Sequence, residues 1–138
     1  MINAMNAQEM FELMNRQEFS RDYAAELLMD HLELISGYLK KEEPAAVFCG
    51  FEDTPRGSGH SLAGVITKSR LVLAAHDIRE DRIWEVYLNE IEDAEFVEHG
   101  ISIRAPKGTM RFRVNDINGN RLVRLLKQMK SECETVKK

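Results

Sequence analysis

Seven short β-prone runs follow one another between Ala45 and Val114: AAVFCGF, SLAGVIT, RLVLAAH, IWEVYL, IEDAEFVEH, ISIR and TMRFRV. They are separated by EDTPRGSG, KS, DIRED, a change of register near Asn89, HG and APKG, which all carry turn chemistry. Connections this short join antiparallel neighbours, because a parallel pair needs a crossover of roughly a dozen residues or more. Past Val114 the period changes to that of a helix. Leu122, Leu125, Leu126, Met129, Cys133 and Val136 fall on one stripe, with Arg121, Arg124, Lys127, Gln128 and Lys130 mostly opposite it. Asp116, Asn118 and Asn120 are alternative caps for this last helix.

Residues 1–44 read as two helices. Asn6 caps a short one that gathers Met10, Phe11, Leu13 and Met14 on one side. Ser20 caps a second, in which Leu28, His31, Leu32, Ile35 and Leu39 recur at helical steps, and which should end within KKEEP because Pro44 disfavours helical geometry before it.

Two hairpins are tight enough for their register to be followed by hand. Across TKSR, Thr67 meets Arg70, Ile66 meets Leu71, Val65 meets Val72 and Gly64 meets Leu73. Ile66, Leu71, Gly64 and Leu73 then face the core, which leaves Lys68 at the exposed tip and Arg70 on the outer face. On that outer face Val65, Val72 and Ala74 are apolar where a solvated strand would be polar, so something should cover them: the N-terminal helices or another subunit. Across APKG, Arg104 meets Thr109, Ile103 meets Met110 and Ile101 meets Phe112. Continuing through a turn at HG pairs Glu98 with Ile101, Val97 with Ser102 and Glu95 with Arg104. This makes an exposed ionic ladder of Asp93 and Glu95 against Arg104, Arg111 and Arg113.

The run YLKKEEPAAVFCGF, leading into GVITKSRLVLAAH and then VYLNEIEDAEF, resembles the bacterial pleckstrin-homology-like (PH-like) domains that stand behind short helical N-terminal segments. In that family a T-x-x-R-L turn, here Thr67 to Leu71, joins the second and third strands; an I-x-x-I/V patch enters the fifth, and a helix closes the barrel. The resemblance extends over about residues 38–134. It implies an α+β fold: N-terminal helices over 1–44, then a seven-stranded antiparallel PH-like barrel over 45–136 closed by a C-terminal amphipathic helix. It also implies that the loops after strands one, three and six cluster at the end of the barrel away from that helix. Arg56, Arg79, Arg82 and Lys107 would meet there as a candidate anion rim, opposed by Glu52, Asp53, Asp77, Glu80 and Asp81. The spaced Lys and Arg set with which some members clasp inositol phosphates is absent from the first loop.

Charge and motifs exclude most other chemistry. The net charge of −4, with its acidic surplus in residues 1–44, argues against a general affinity for nucleic acid. No apolar run approaches the ~20 residues of a membrane span, and the start lacks a basic region followed by an apolar core; the expected setting is cytoplasmic. Cys49 and Cys133 stand far apart in apolar surroundings as ordinary thiols. His60 and His76 are expected on opposite faces, inward and outward, so they share no metal; His31 belongs to the helix stripe and His99 to the HG turn. Trp84 should point with Val86 and Leu88 into barrel packing. There is no nucleophile elbow, phosphate-binding glycine loop or HExxH. No cofactor and no enzymatic activity are expected. The expected function is a non-enzymatic binding or assembly module acting through protein contacts, self-association among them. Its alternative is recognition of an anionic head group or phosphorylated partner at the rim, with peripheral lipid contact as one form.

Overall fold

A computed structural model of the chain describes residues 5–19, 25–55, 57–76 and 79–136. Its elements are α1 (Ala7–Arg16), α2 (Ala25–Leu39), β1 (Pro44–Thr54), β2 (Gly57–Thr67), β3 (Arg70–His76), β4 (Asp81–Tyr87), a 3-10 turn (Leu88–Glu90), β5 (Asp93–Val97), β6 (Gly100–Ala105), β7 (Gly108–Arg113) and α3 (Asp116–Val136).

The strands form one antiparallel sheet in the order β4-β3-β2-β1-β7-β6-β5. It curls so that Phe48 of β1 and Phe112 of the neighbouring β7 meet inside, their rings stacked at 5.6 Å between centroids. α3 lies against the 3-10 turn, β5 and β6, burying Leu122, Leu126 and Met129. The expected barrel differs in one respect: β4 and β5 are consecutive in sequence yet stand at opposite ends of the sheet, so the curl stays open as a barrel-like sandwich. The 3-10 turn carries the chain across the gap without pairing the strands. β7 in turn meets β1 only at Arg113 and Phe112, opposite Phe51 and Glu52.

The registers expected around TKSR and APKG are observed residue for residue, whereas four local expectations are corrected. First, the expected EDTPRGSG loop is mostly strand, with Asp53 opposite Ser58 and Thr54 opposite Gly57 beyond a register shift at Phe51. Second, the β5–β6 turn is Glu98-His99, both left-handed at φ +52° and +62°, not His99-Gly100. This slides the pairing by two residues, so that Val97 meets Gly100, Glu95 meets Ser102 and Asp93 meets Arg104. Gly100 lies within β6, paired with Val97 and Arg113, and a Cβ there would stand 2.7 Å from the Arg111 guanidinium. Third, Asn115 caps α3, its Oδ1 accepting from the Asn118 N–H at 2.9 Å. Fourth, His60, one step outward from the last buried inward position, Leu62, is exposed. Ser20 and Asp77 fall outside the described residues.

The N-terminal helices belong to the same buried cluster as the strands. Asn6 and Glu9 cap α1 reciprocally. α2 packs on β2 and β3, and Val65, Val72 and Ala74 beneath it are 0% exposed. α2 is followed at once by Lys40 in the left-handed region (φ +58°), somewhat before the proline that was to stop it. Between α1 and α2, Gln17 acts as a one-residue strand on the edge of β1 that β7 does not reach. Its amide Nε2 donates to Ala45 O at 2.9 Å, and its Oε1 accepts from the Val47 N–H at 3.3 Å. Arg121 of α3 holds this connector by donating to Gln17 O at 2.7 Å and stacking over the Phe19 ring at 4.3 Å.

His31 of α2 is buried, with both ring nitrogens engaged. Nδ1 accepts the His76 backbone N–H at 2.8 Å, so the neutral ring's proton sits on Nε2, facing Ser61 Oγ at 2.9 Å. Burial first, then the nearby His76, lower its pKa below the ordinary 6.5 against an opposing pull from Asp30. The unfolded chain therefore takes up a proton here more readily than the folded one, and stability is lost as pH falls below about 6.5 toward the folded-state pKa. His31→Asn keeps an acceptor near Nδ1 and cannot titrate. Between about pH 7.5 and 5.5 the wild type is expected to lose more stability in urea than His31→Asn does; equal losses would show that His31 is no acid-sensitive contact.

Candidate functional site

The turn TKSR gathers an acid from its own chain. Glu42, just past α2, accepts from Thr67 Oγ1 and Ser69 Oγ, each at 2.5 Å, and from Arg70 Nε at 2.8 Å. Arg70 reaches on to Glu85 of β4 at 2.6 Å and lies 5.0 Å over the Tyr38 ring, while Tyr38 donates to the same Glu85 oxygen at 2.7 Å. Burial alone would raise the Glu42 pKa, but hydrogen bonds from Ser69, Thr67 and Arg70 outweigh it and hold the carboxyl below its ordinary value. The Glu85 carboxylate raises the Tyr38 pKa, chiefly through their hydrogen bond. Lys68 at the tip remains exposed, as its position in the turn implied.

Of the candidate anion rim, Arg82 already carries an acidic partner. Arg82 is clamped by both oxygens of Glu52, at 2.9 and 2.5 Å, with its guanidinium 5.6 Å from the Trp84 ring. Asp53, the next residue on β1, takes Arg111 and Arg113 of β7 through their Nε atoms, both at 2.7 Å. The Arg111 and Arg113 side of the expected ladder is thus redirected to Asp53, while Arg104 pairs loosely with Glu92 at 3.5 Å. Burial pushes the Asp53 pKa up, but the two arginine hydrogen bonds outweigh it and leave the pKa lowered. Two acids on β1 therefore reach in different directions, Glu52 to the terminal strand β4 and Asp53 to the neighbouring strand β7. Arg79 and Lys107 are exposed, and Arg56 lies outside the described residues.

Between β4 and β7 the open curl leaves a groove. One hollow of about 210 Å³ has Val86, Tyr87 and Glu90 on one wall and Lys107, Thr109 and Met110 on the other. A second, of about 290 Å³, shares Thr109 and Met110 and continues to Trp84, Leu62, Leu73 and Arg111. Trp84 and Val86 are half-buried here, so the expected barrel packing is only partial. Tyr87, on the rim, is 43% exposed. Of these groove residues only Lys107 and Arg111, as cations of the β6–β7 hairpin, stand out from the sequence. The available signal was the charge on β4 and β7, Arg82, Glu85, Arg111 and Arg113, which is characteristic of strands with an uncovered edge.

No protein-family model and no curated protein matches the sequence. Solved structures do match in shape. The DH/PH domains of p115-RhoGEF superpose with a TM-score of 0.56 at 9% identity, over 92% of this chain and 42% of theirs. An N-terminally truncated linker-DH/PH form of the same protein gives 0.55 at 9%, over 91% and 40%. PDZ-RhoGEF DH/PH domains, in complex with GTP-gamma-S activated RhoA, give 0.53 at 11%, over 91% and 40%. The fold is PH-like. The overlap reaches back past the sheet into the N-terminal helices, and the chain spans about two fifths of each of these neighbours. At such identities the likeness concerns the PH-like fold alone. Among the described residues no helix is long and apolar enough to cross a membrane, and no three His, Cys, Asp or Glu side chains are placed to hold a metal ion.

Proposed function

We propose that the chain is a non-enzymatic protein-recognition module of the bacterial PH-like kind, with residues 45–136 as the PH-like domain and 1–44 as its helical N-terminal segment. The observation that carries this reading is the groove, an accessible, partly apolar surface bordered by the terminal strand β4 and by the length of β7 that β1 does not reach. The face of Val65, Val72 and Ala74 has its cover in α2 of the same chain, which moves the expected partner contact away from it. The anionic-ligand reading has less support, since Arg82, Arg111 and Arg113 already carry carboxylate partners. The reading includes a cytoplasmic setting, in keeping with two free cysteines.

Panning a phage library of random twelve-residue peptides against the full chain, beside flotation with phosphatidylcholine vesicles containing phosphatidylserine, separates the two readings. Peptide enrichment is expected, with vesicle binding that is slight at low salt and unchanged in Lys107→Glu. Vesicle binding that falls with added salt and again in Lys107→Glu, without any enriched peptide, overturns protein recognition in favour of the anionic rim.

A further inference from the structure

We propose that the groove binds an extended segment of a protein partner, which adds as a strand to the open edge of β4 and spans the gap toward β7. This rests on the protein-recognition reading above and specifies its mode. Both walls offer unpaired backbone. β4 is the terminal strand of the sheet on its side, and β7 meets β1 only at Phe112 and Arg113. The Leu88 N–H bonds Ser69 O on the β3 side, so the alternation of an antiparallel ladder turns the N–H and C=O groups of Ile83, Glu85 and Tyr87 outward. On β7, the Val114 N–H bonds His99 O, which by the same alternation turns Thr109 and Arg111 toward the groove. Strand addition satisfies such groups directly, with side-chain pockets supplying specificity.

The groove also selects the chemistry of its occupant. Trp84, Val86 and Met110 make its floor, so the segment presents apolar residues at alternate positions on that side. Glu52, Asp53 and Glu85 are already ion-paired. Among the described residues Lys107 and Glu90, on opposite walls of the first hollow, make no ion pair. A segment that carries an acidic side chain toward Lys107 and a basic one toward Glu90 complements both, whereas a phosphate-rich surface would face Glu90 and Glu85.

Tyr87 provides the discriminating test. Its φ of −75° suits proline, and its N–H points away from β3, so Tyr87→Pro removes one outward donor while leaving the β3 ladder intact. Tyr87→Ala removes the ring alone. Peptides enriched in the panning experiment are synthesised with a fluorescent label, and their affinity is read by anisotropy, with circular dichroism confirming that each variant is folded. Expected are a loss of about tenfold or more for Tyr87→Pro beyond that of Tyr87→Ala, and a several-fold loss for Lys107→Glu that a charge-reversed peptide restores. Enriched peptides that bind both Tyr87 variants alike overturn strand addition while protein recognition stands. A library that yields no binder removes both.

Discussion

Valine at position 64 is expected to destabilise the wild-type chain strongly and to be far better tolerated once Phe48 is shortened to alanine. Gly64 of β2 stands opposite Phe48 of β1, and a Cβ on Gly64 would fall within the Phe48 ring. That ring cannot move aside, because it is 1% exposed and stacked on Phe112, itself 1% exposed. Gly64→Val alone forces the stack apart and should fall at or above the upper end of the roughly 1–3 kcal/mol of an overpacked core. Phe48→Ala alone empties the ring's volume, for about 3–5 kcal/mol. In the double variant the valine methyls refill part of that space, so the combined loss should undershoot the sum of the singles by about 1 kcal/mol or more. Urea midpoints of the four proteins measure the coupling. Losses that add to within about 0.5 kcal/mol would mean the two positions do not share one volume.

The same pair shows where the fold was legible and where it was not. The succession of seven strands, the TKSR and APKG registers and the apolar α3 stripe follow from spacing alone, because a two-residue connection and period-2 burial leave little choice of partner. Gly64 was legible only as a core-facing position; that it makes room for Phe48 depends on a partner strand reached through a different hairpin. Gly100 misled for a related reason. A glycine beside a histidine reads as a turn, yet it is held in β6 beneath Arg111, and Glu98 and His99 take the left-handed conformations instead. Closure of the sheet was not legible at all, since whether β4 meets β5 depends on the accumulated curl of seven strands.

For the groove, the difficulty was of another kind. Lys107 and Arg82 stand out in the sequence as cations, and the acids beside them weaken a basic rim. What spacing could not show is that Glu52 and Asp53, adjacent on β1, reach in two directions, one to β4 and one to β7. Those ion pairs give Arg82, Arg111 and Arg113 carboxylate partners, and the gap between β4 and β7 carries the candidate interaction surface. The apolar outer positions Val65, Val72 and Ala74 were legible as needing a cover because burial alternation broke down there, and α2 lies over them.

Glu42→Ala is expected to lower stability by about 2–3 kcal/mol, the range for a partly buried charged acceptor with several donors. Its removal leaves the Thr67 and Ser69 hydroxyls without their shortest acceptor and Arg70, whose side chain is 14% exposed, with Glu85 as its remaining carboxylate. Glu42→Gln keeps an acceptor and loses the charge, so it should fall between wild type and alanine. Lys68→Ala, one residue from Thr67 and exposed, should change stability by less than about 0.5 kcal/mol. Acid provides an independent reading of the same contact. The Glu42 pKa is lowered in the folded chain, so its contribution is complete above the ordinary value of 4.5 and is lost as pH falls from there through the folded pKa. The stability gap between wild type and Glu42→Ala should therefore be constant near neutrality and narrow below about pH 4.5. A gap that persists unchanged into acid would mean that the carboxylate's charge contributes nothing and that only the packing of its stem matters. An alanine variant as stable as Lys68→Ala would mean that TKSR holds its shape through the Thr67 hydroxyl bonds to Ser69 and Arg70 alone.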